Sequence, residues 1–152
     1  MVIDPSVIGT ELPAVTMTIE EGRLRFFAKA IGETNPVFTE TASAKAAGHR
    51  TLPAPPTFLF SIELENPDPF CWLRDIGVDL RHILHGEQHF TYHSIAHAGD
   101  VLTAHPMITG LYSKKDGALQ FVVKDTTVTR ADGTHIADLR TVIVVRHPGA
   151  AT

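Results

Sequence analysis

Residues 82–97 read HILHGEQHFTYHSIAH, and His82, His85, His89, His93 and His97 recur every three or four positions. On one face of a helix that spacing could gather ligands around a zinc ion. In a strand, four residues span roughly 13 Å, too far for any common metal to bridge. The chemistry therefore turns on the element. Gly86 interrupts a helix, and Phe90-Thr91-Tyr92 favours a strand. Alternation puts Phe90 and Tyr92 on one face and His89, Thr91 and His93 on the other. Residues 87–95 are expected to form a half-buried strand whose polar face carries histidines. No Cys-x-x-Cys or His-Glu-x-x-His occurs elsewhere, so neither a metal nor another cofactor is expected.

The elements around that strand follow from periodicity. Leu24, Phe27, Ala28 and Ile31 mark an amphipathic helix over 20–31, with Thr18 and Glu21 as a capping box and Gly32 as its stop. A short Ala-rich helix is expected over 39–47, ending at Gly48. Pro55-Pro56 can start a helix but not continue one. The apolar run Phe58, Leu59, Phe60, Ile62 predicts a buried helix from about 56 to 64, broken at Asn66-Pro67. Strands are expected over 100–112, 118–130 and 134–146, joined by Asp116-Gly117 and Asp132-Gly133 turns, with Leu119, Phe121 and Val123 and then Leu139, Ile143 and Val145 on the core face. Helices followed by a meander indicate an α+β chain, an antiparallel sheet wrapped around one buried helix. Residues 1–146 are read as one domain and 147–152 as a flexible tail.

Composition narrows the function classes. The 152 residues are 43% hydrophobic and 20% charged, with a formal net charge of −4, which describes a globular chain without the clustered positive charge that duplex nucleic acid selects. Cys71 is the single cysteine, so no intrachain disulfide can form. The first residues lack a signal-peptide pattern and no segment approaches the roughly 20 apolar residues of a membrane helix. A cytoplasmic protein is expected.

Residues 32–40, Gly-Glu-Thr-Asn-Pro-Val-Phe-Thr-Glu, lie between the first two helices. They resemble the signature loop of the MaoC-like dehydratases, Gly-Asp-x-Asn-Pro-(aliphatic)-His-x-Asp, at Gly32, Asn35, Pro36 and Val37, with Ala44 and Gly48 following and Glu40 a conservative replacement. His97-Ala98-Gly99-Asp100-Val101-Leu102-Thr103 looks like that family's Gly-Asp-x-Leu turn. Leu84-His85-Gly86-Glu87-Gln88 and Ala54-Pro55-Pro56-Thr57-Phe58 look like its N-terminal type of domain, which often pairs with a second such domain.

The resemblance implies a hot-dog fold and action on an acyl thioester of coenzyme A or acyl carrier protein. In the family, the loop Asp and His activate water and move a proton during hydration of a 2-enoyl thioester. Those positions are Glu33 and Phe38 here. Glu33 could still act as a base; Phe38 cannot transfer a proton. Asn35 and Phe38 are then expected beside the substrate, and Thr57 and Phe58 supply the backbone N–H groups left near the thioester oxygen after Pro55 and Pro56.

The resulting expectation is a subunit of an (R)-type enoyl-thioester hydratase or 3-hydroxyacyl-thioester dehydratase. It would shape the substrate tunnel as a homodimer or beside a second MaoC-like subunit that supplies Asp and His. The alternatives are a self-sufficient hydratase using Glu33, a thioesterase using Glu63, Glu87 or His85, and a non-catalytic acyl-thioester scaffold. His85 and Glu87 could share a strand face as an acid–base pair. Arg23, Arg25 and Lys29 read as the wet face of the first helix, with contact to coenzyme A phosphates as the functional alternative. Cys71 reads as a small packed residue.

Overall fold

The computed structural model describes residues 2–147; residues 148–152, most of the expected tail, lie outside the described residues. Five antiparallel strands, β1 (Val15–Thr18), β2 (Ile83–Tyr92), β3 (Val101–Lys114), β4 (Leu119–Arg130) and β5 (His135–Arg146), form a sheet of order β1-β3-β4-β5-β2. Alternation sets which face is covered. Leu139, Ile143 and Val145 of β5 point inward as expected, but in β4 the inward set is Gln120, Val122, Lys124, Thr126 and Val128, and Leu119, Phe121 and Val123 take the opposite face. Both hairpin turns form at the Asp-Gly pairs: Asp116 and Gly117 have φ of 50° and 87°, and Gly133 has φ of 86°, the left-handed backbone such turns need.

Helix α1 (Glu21–Ala30) buries Leu24 and Ala28 against this face, and Gly32 ends it at φ 71°. Leu24 joins Leu52, Phe58, Leu59 and Ile62 above Leu102, Val128 and Leu139. A second cluster sets Ile3, Trp72, Leu73 and Val78 against Ile108, Val122 and Ile143, with Trp72 and Leu73 on the short helix α3 (Cys71–Asp75). The sheet thus wraps apolar helical segments, as the α+β hot-dog expectation requires.

Four local expectations need correction. The strand expected over 87–95 runs Ile83–Tyr92, because residues 83–85 already pair with β5 and the pairing stops at Tyr92. The capping box does not form, because Thr18 belongs to β1, where it pairs with Val101. The Glu21 carboxylate instead accepts from Arg25 and Thr51. The expected helix over 56–64 is a pair of 3₁₀ turns, Phe58–Ser61 and Glu63–Glu65. Two prolines withhold N–H groups, and Thr57 at φ 75° lies outside helical space, so no α-turn nucleates before Phe58. The Ala-rich helix is shorter than read: α2 spans Thr41–Ala46.

β2 is an edge strand with one free side. Leu84, Tyr92, Phe60, Leu64, Phe70 and Ile95 are large apolar side chains left exposed. Leu84 and Tyr92 lie on β2, Phe60 packs 5.6 Å from His85, and Ile95 lines one cavity with Tyr92. An unpaired edge bordered by apolar surface is a template for association. Among the described residues, no helix is long and apolar enough to cross a membrane.

Candidate functional site

The loop after α1 is built by local side-chain caps. The Glu33 carboxylate accepts the N–H of Asn35 at 2.8 Å, and the Asn35 side chain accepts that of Val37 at 3.1 Å. These Asx-type bonds start the 3₁₀ turn Pro36–Phe38. That turn delivers Phe38 to the wall of an apolar cavity of about 260 Å3, shared with His49, Pro55, Pro56, Leu59 and Tyr92. Glu33 does not line it. Its carboxylate is occupied in shaping the loop.

The opposite wall comes from two antiparallel segments. Ala54 N–H donates to the Ala96 carbonyl and Ala98 N–H to that of Leu52, each at 2.8 Å. The turn that follows is held by the buried Asp100, which accepts the His97 N–H at 2.9 Å and pairs with Arg50. Held this way, His97 places Nε2 3.1 Å from Nδ1 of His49. Burial, followed by the charge of Arg50, pushes the pKa of His97 down, so the ring is held neutral. Its Nδ1 is buried without a hydrogen-bond partner among the described residues. An orphaned buried N–H is costlier than an orphaned lone pair, so the proton is assigned to Nε2, which donates to His49. His49 then carries its own proton on Nε2, as a donor.

The cavity therefore holds one imidazole and one phenol, His49 and Tyr92, and no carboxylate. The N–H groups expected to meet a thioester oxygen are both engaged: Thr57 donates to the Tyr92 hydroxyl at 2.8 Å, and Phe58 donates to the Pro55 carbonyl at 3.1 Å. The Phe58 ring is buried edge-on against Phe27, 5.4 Å between centroids. It supports the cavity from behind. Sequence spacing carried no sign of the histidine pair, whose members are 48 residues apart.

The other candidate residues lie outside this cavity. His85 and Glu87 do not share a face, because Gly86 is an extra residue in β2 where the register shifts. A Cβ on Gly86 would lie 2.8 Å from the Val144 side chain, so the bulge requires glycine. Glu87 turns out to meet His89 at 3.0 Å, and His85 turns in beside Phe60. Glu63 is held under the sheet by Lys124 and Thr126. Arg23 pairs with Glu65, and Arg25 with Glu21 and the Thr39 carbonyl. A broader depression of about 710 Å3 lies on the outer sheet face. Its Arg140 and Asp125 neutralise each other at 2.7 Å, and none of the loop residues reaches it.

Comparison with known proteins agrees with this architecture. Residues 6–139 match the family model described as FAS1-like, dehydratase domain region. A UPF0336 protein of Streptomyces coelicolor is 38% identical over 115 residues, 74% of this chain and 76% of that protein. The C-terminally truncated HadBC (3R-hydroxyacyl-ACP dehydratase) complex from Mycobacterium tuberculosis contains a chain that superposes with a TM-score of 0.74 at 26% identity, covering 94% of this chain and 99% of that one. A MaoC-like dehydratase superposes with a TM-score of 0.80 at 21% identity, over 94% of this chain but 43% of its own length.

Proposed function

The chain belongs to the family of FAS1-like dehydratase domain regions and has the hot-dog fold of MaoC-like dehydratases; from that premise we propose that it is the tunnel-forming subunit of an (R)-type enoyl-thioester hydratase or 3-hydroxyacyl-thioester dehydratase. The observation that carries the reading is the cavity behind Phe38. It is apolar, sized for an acyl chain, and contains no carboxylate to deprotonate water. A second hot-dog chain would supply the Asp and His.

The free edge of β2 suits that partnership. Tyr92 belongs to both the strand and the cavity wall, and Ile95 beside it is exposed. A partner pairing along β2 would close the cavity and bring its own catalytic groups to the thioester. The HadBC neighbour is a complex, and the longer MaoC-like neighbour is about twice the length of this chain; both fit a two-domain working unit.

His49 favours a second reading, in which the chain works alone with that imidazole as proton donor. One experiment separates the readings. Crotonyl-CoA hydration is followed for the purified chain, for His49→Gln, and for each mixed with a MaoC-like subunit encoded nearby. Activity only in the mixture, indifferent to His49→Gln, supports the tunnel subunit. Activity of the chain alone that is lost in His49→Gln supports the second reading. Saturable acyl-thioester binding with no turnover in any mixture would make the chain a binding scaffold.

A further inference from the structure

The histidine run does not converge on itself, yet the sheet gathers one of its members with two residues from β5. His93 Nε2 lies 2.8 Å from Asp138 Oδ2, and His135 Nε2 lies 2.9 Å from Asp138 Oδ1. The two imidazole rings sit 4.1 Å apart, tilted by 31°. Among the described residues this is the one group of three metal-capable side chains whose ligand atoms all fall within 4.8 Å of one another.

A regular strand would not assemble it. His135 and Asp138 are three apart, so simple alternation puts them on opposite faces. The pairing of β4 with β5 moves from Val128↔Ala137 to Thr129↔His135 and leaves Ile136 as an extra residue. That bulge turns Ile136 into the core, where it is fully buried, and swings His135 to the outer face with Asp138. His93 reaches the same face one residue past β2, where its N–H donates to the Ile136 carbonyl at 2.8 Å. Thr127, opposite Asp138 in β4, donates to Oδ1 at 3.2 Å and steadies the carboxylate.

We propose that His93, His135 and Asp138 form a binding site for a divalent transition cation, of which zinc is the representative. Two imidazoles and one carboxylate suit a borderline ion, whereas calcium and magnesium demand oxygen donors. Tetrahedral zinc with bonds of 2.0–2.1 Å keeps its ligands about 3.3 Å apart. The two nitrogen–oxygen separations, each to a different oxygen of Asp138, lie within about half an ångström of that spacing, and with all three ligand atoms within 4.8 Å of one another, side-chain rotation would bring them onto one ion. Each imidazole binds as the neutral ring through Nε2, its proton moving from Nε2 to Nδ1. Water fills the remaining positions, since all three side chains are partly exposed. The ion would tie the chain just past the edge strand to β5, and the site is independent of the thioester reading.

The test uses the full, untagged chain after chelator treatment, with zinc titrated calorimetrically above the ordinary imidazole pKa of about 6.5. One ion per chain is expected, together with a higher thermal midpoint in its presence. His93→Ala and His135→Ala should each weaken binding by about tenfold or more, judged against the 10–100-fold typical even of supporting residues. His89→Ala, on the same outer face of β2, should not. Cobalt should give tetrahedral absorption bands that both substitutions abolish. No saturable uptake, uptake unchanged in His93→Ala and His135→Ala, or displacement by millimolar calcium would each overturn the site.

Discussion

The backbone N–H of Thr57 donates to the Tyr92 hydroxyl at 2.8 Å, joining the start of the central 3₁₀ turn to the edge strand β2. Thr57 makes this bond with φ at 75°, a region costly for a β-branched residue. Replacing it with glycine relieves the backbone and keeps the N–H. Thr57→Gly should therefore stabilise the fold by about 1 kcal/mol, read as a higher denaturant midpoint. Tyr92→Phe should destabilise by a similar ~1 kcal/mol, while freeing the N–H for a thioester oxygen. An unchanged midpoint in both would mean that the bond does not hold this conformation.

Beneath the sheet, Lys124 pairs with Glu63 and lies over the Trp72 ring, 5.4 Å from its centroid. Lys124 is only 7% exposed. Lys124→Met leaves the Glu63 carboxylate without its counter-charge and should cost about 3 kcal/mol, the low end for a broken buried pair. The double variant with Glu63→Leu should recover much of that loss. A double-mutant cycle by chemical denaturation checks both expectations.

The free β2 edge predicts association. Sedimentation at micromolar concentration should show a species heavier than the 16.6 kDa chain. Leu84→Lys, placing a charge on the exposed edge, should shift the population toward monomer. A wild-type chain that sediments only as monomer would count against edge pairing with itself and leave a distinct partner.

His97 gives stability a pH dependence of definite sign. Its folded pKa is lowered below 6.5 by burial and by Arg50, so the unfolded chain binds the proton more readily. Stability is complete above that value and falls as pH drops through 6.5, levelling below the folded pKa. His147 is lowered too, chiefly by burial, and acts in the same direction. Thermal midpoints measured from neutral to mildly acid pH should therefore fall less steeply in His97→Asn than in wild type, without becoming flat. Equal slopes would show that His97 is as easily protonated folded as unfolded.

Restoring the family's loop pair tests the acyl cavity. Glu33→Asp with Phe38→His should raise crotonyl-CoA hydration by the isolated chain at least tenfold, a modest part of the roughly 10²–10⁴-fold that acid–base help provides. Phe38→His should account for the gain and Glu33→Asp alone should add nothing, because position 33 does not line the cavity. Circular dichroism of the double variant confirms folding, since Phe38 is half-buried. A folded double variant no faster than wild type would place the deficiency elsewhere in the cavity.

Most of the sheet was legible in the sequence, because the side-chain period of two and the Asp-Gly turns are local signals. β3, β4 and β5 begin and end within two residues of where alternation put them, and α1 follows its apolar stripe. The loop motif from Gly32 to Glu40 likewise pointed to the family. Helix type at Phe58 was not legible: apolarity announces burial, whereas the left-handed turn at Thr57 depends on its bond to Tyr92, 35 residues away. The side-chain constellations were further out of reach. His49 meets His97 only because residues 52–54 pair beside 96–98, and His93 meets His135 and Asp138 only through a bulge at Ile136. One added residue in a strand reverses the face of every side chain beyond it. Local patterning therefore determines which residues are strand, whereas the packing of helices on one face decides which alternation is core in β4, and the register of one strand against another decides which polar groups meet.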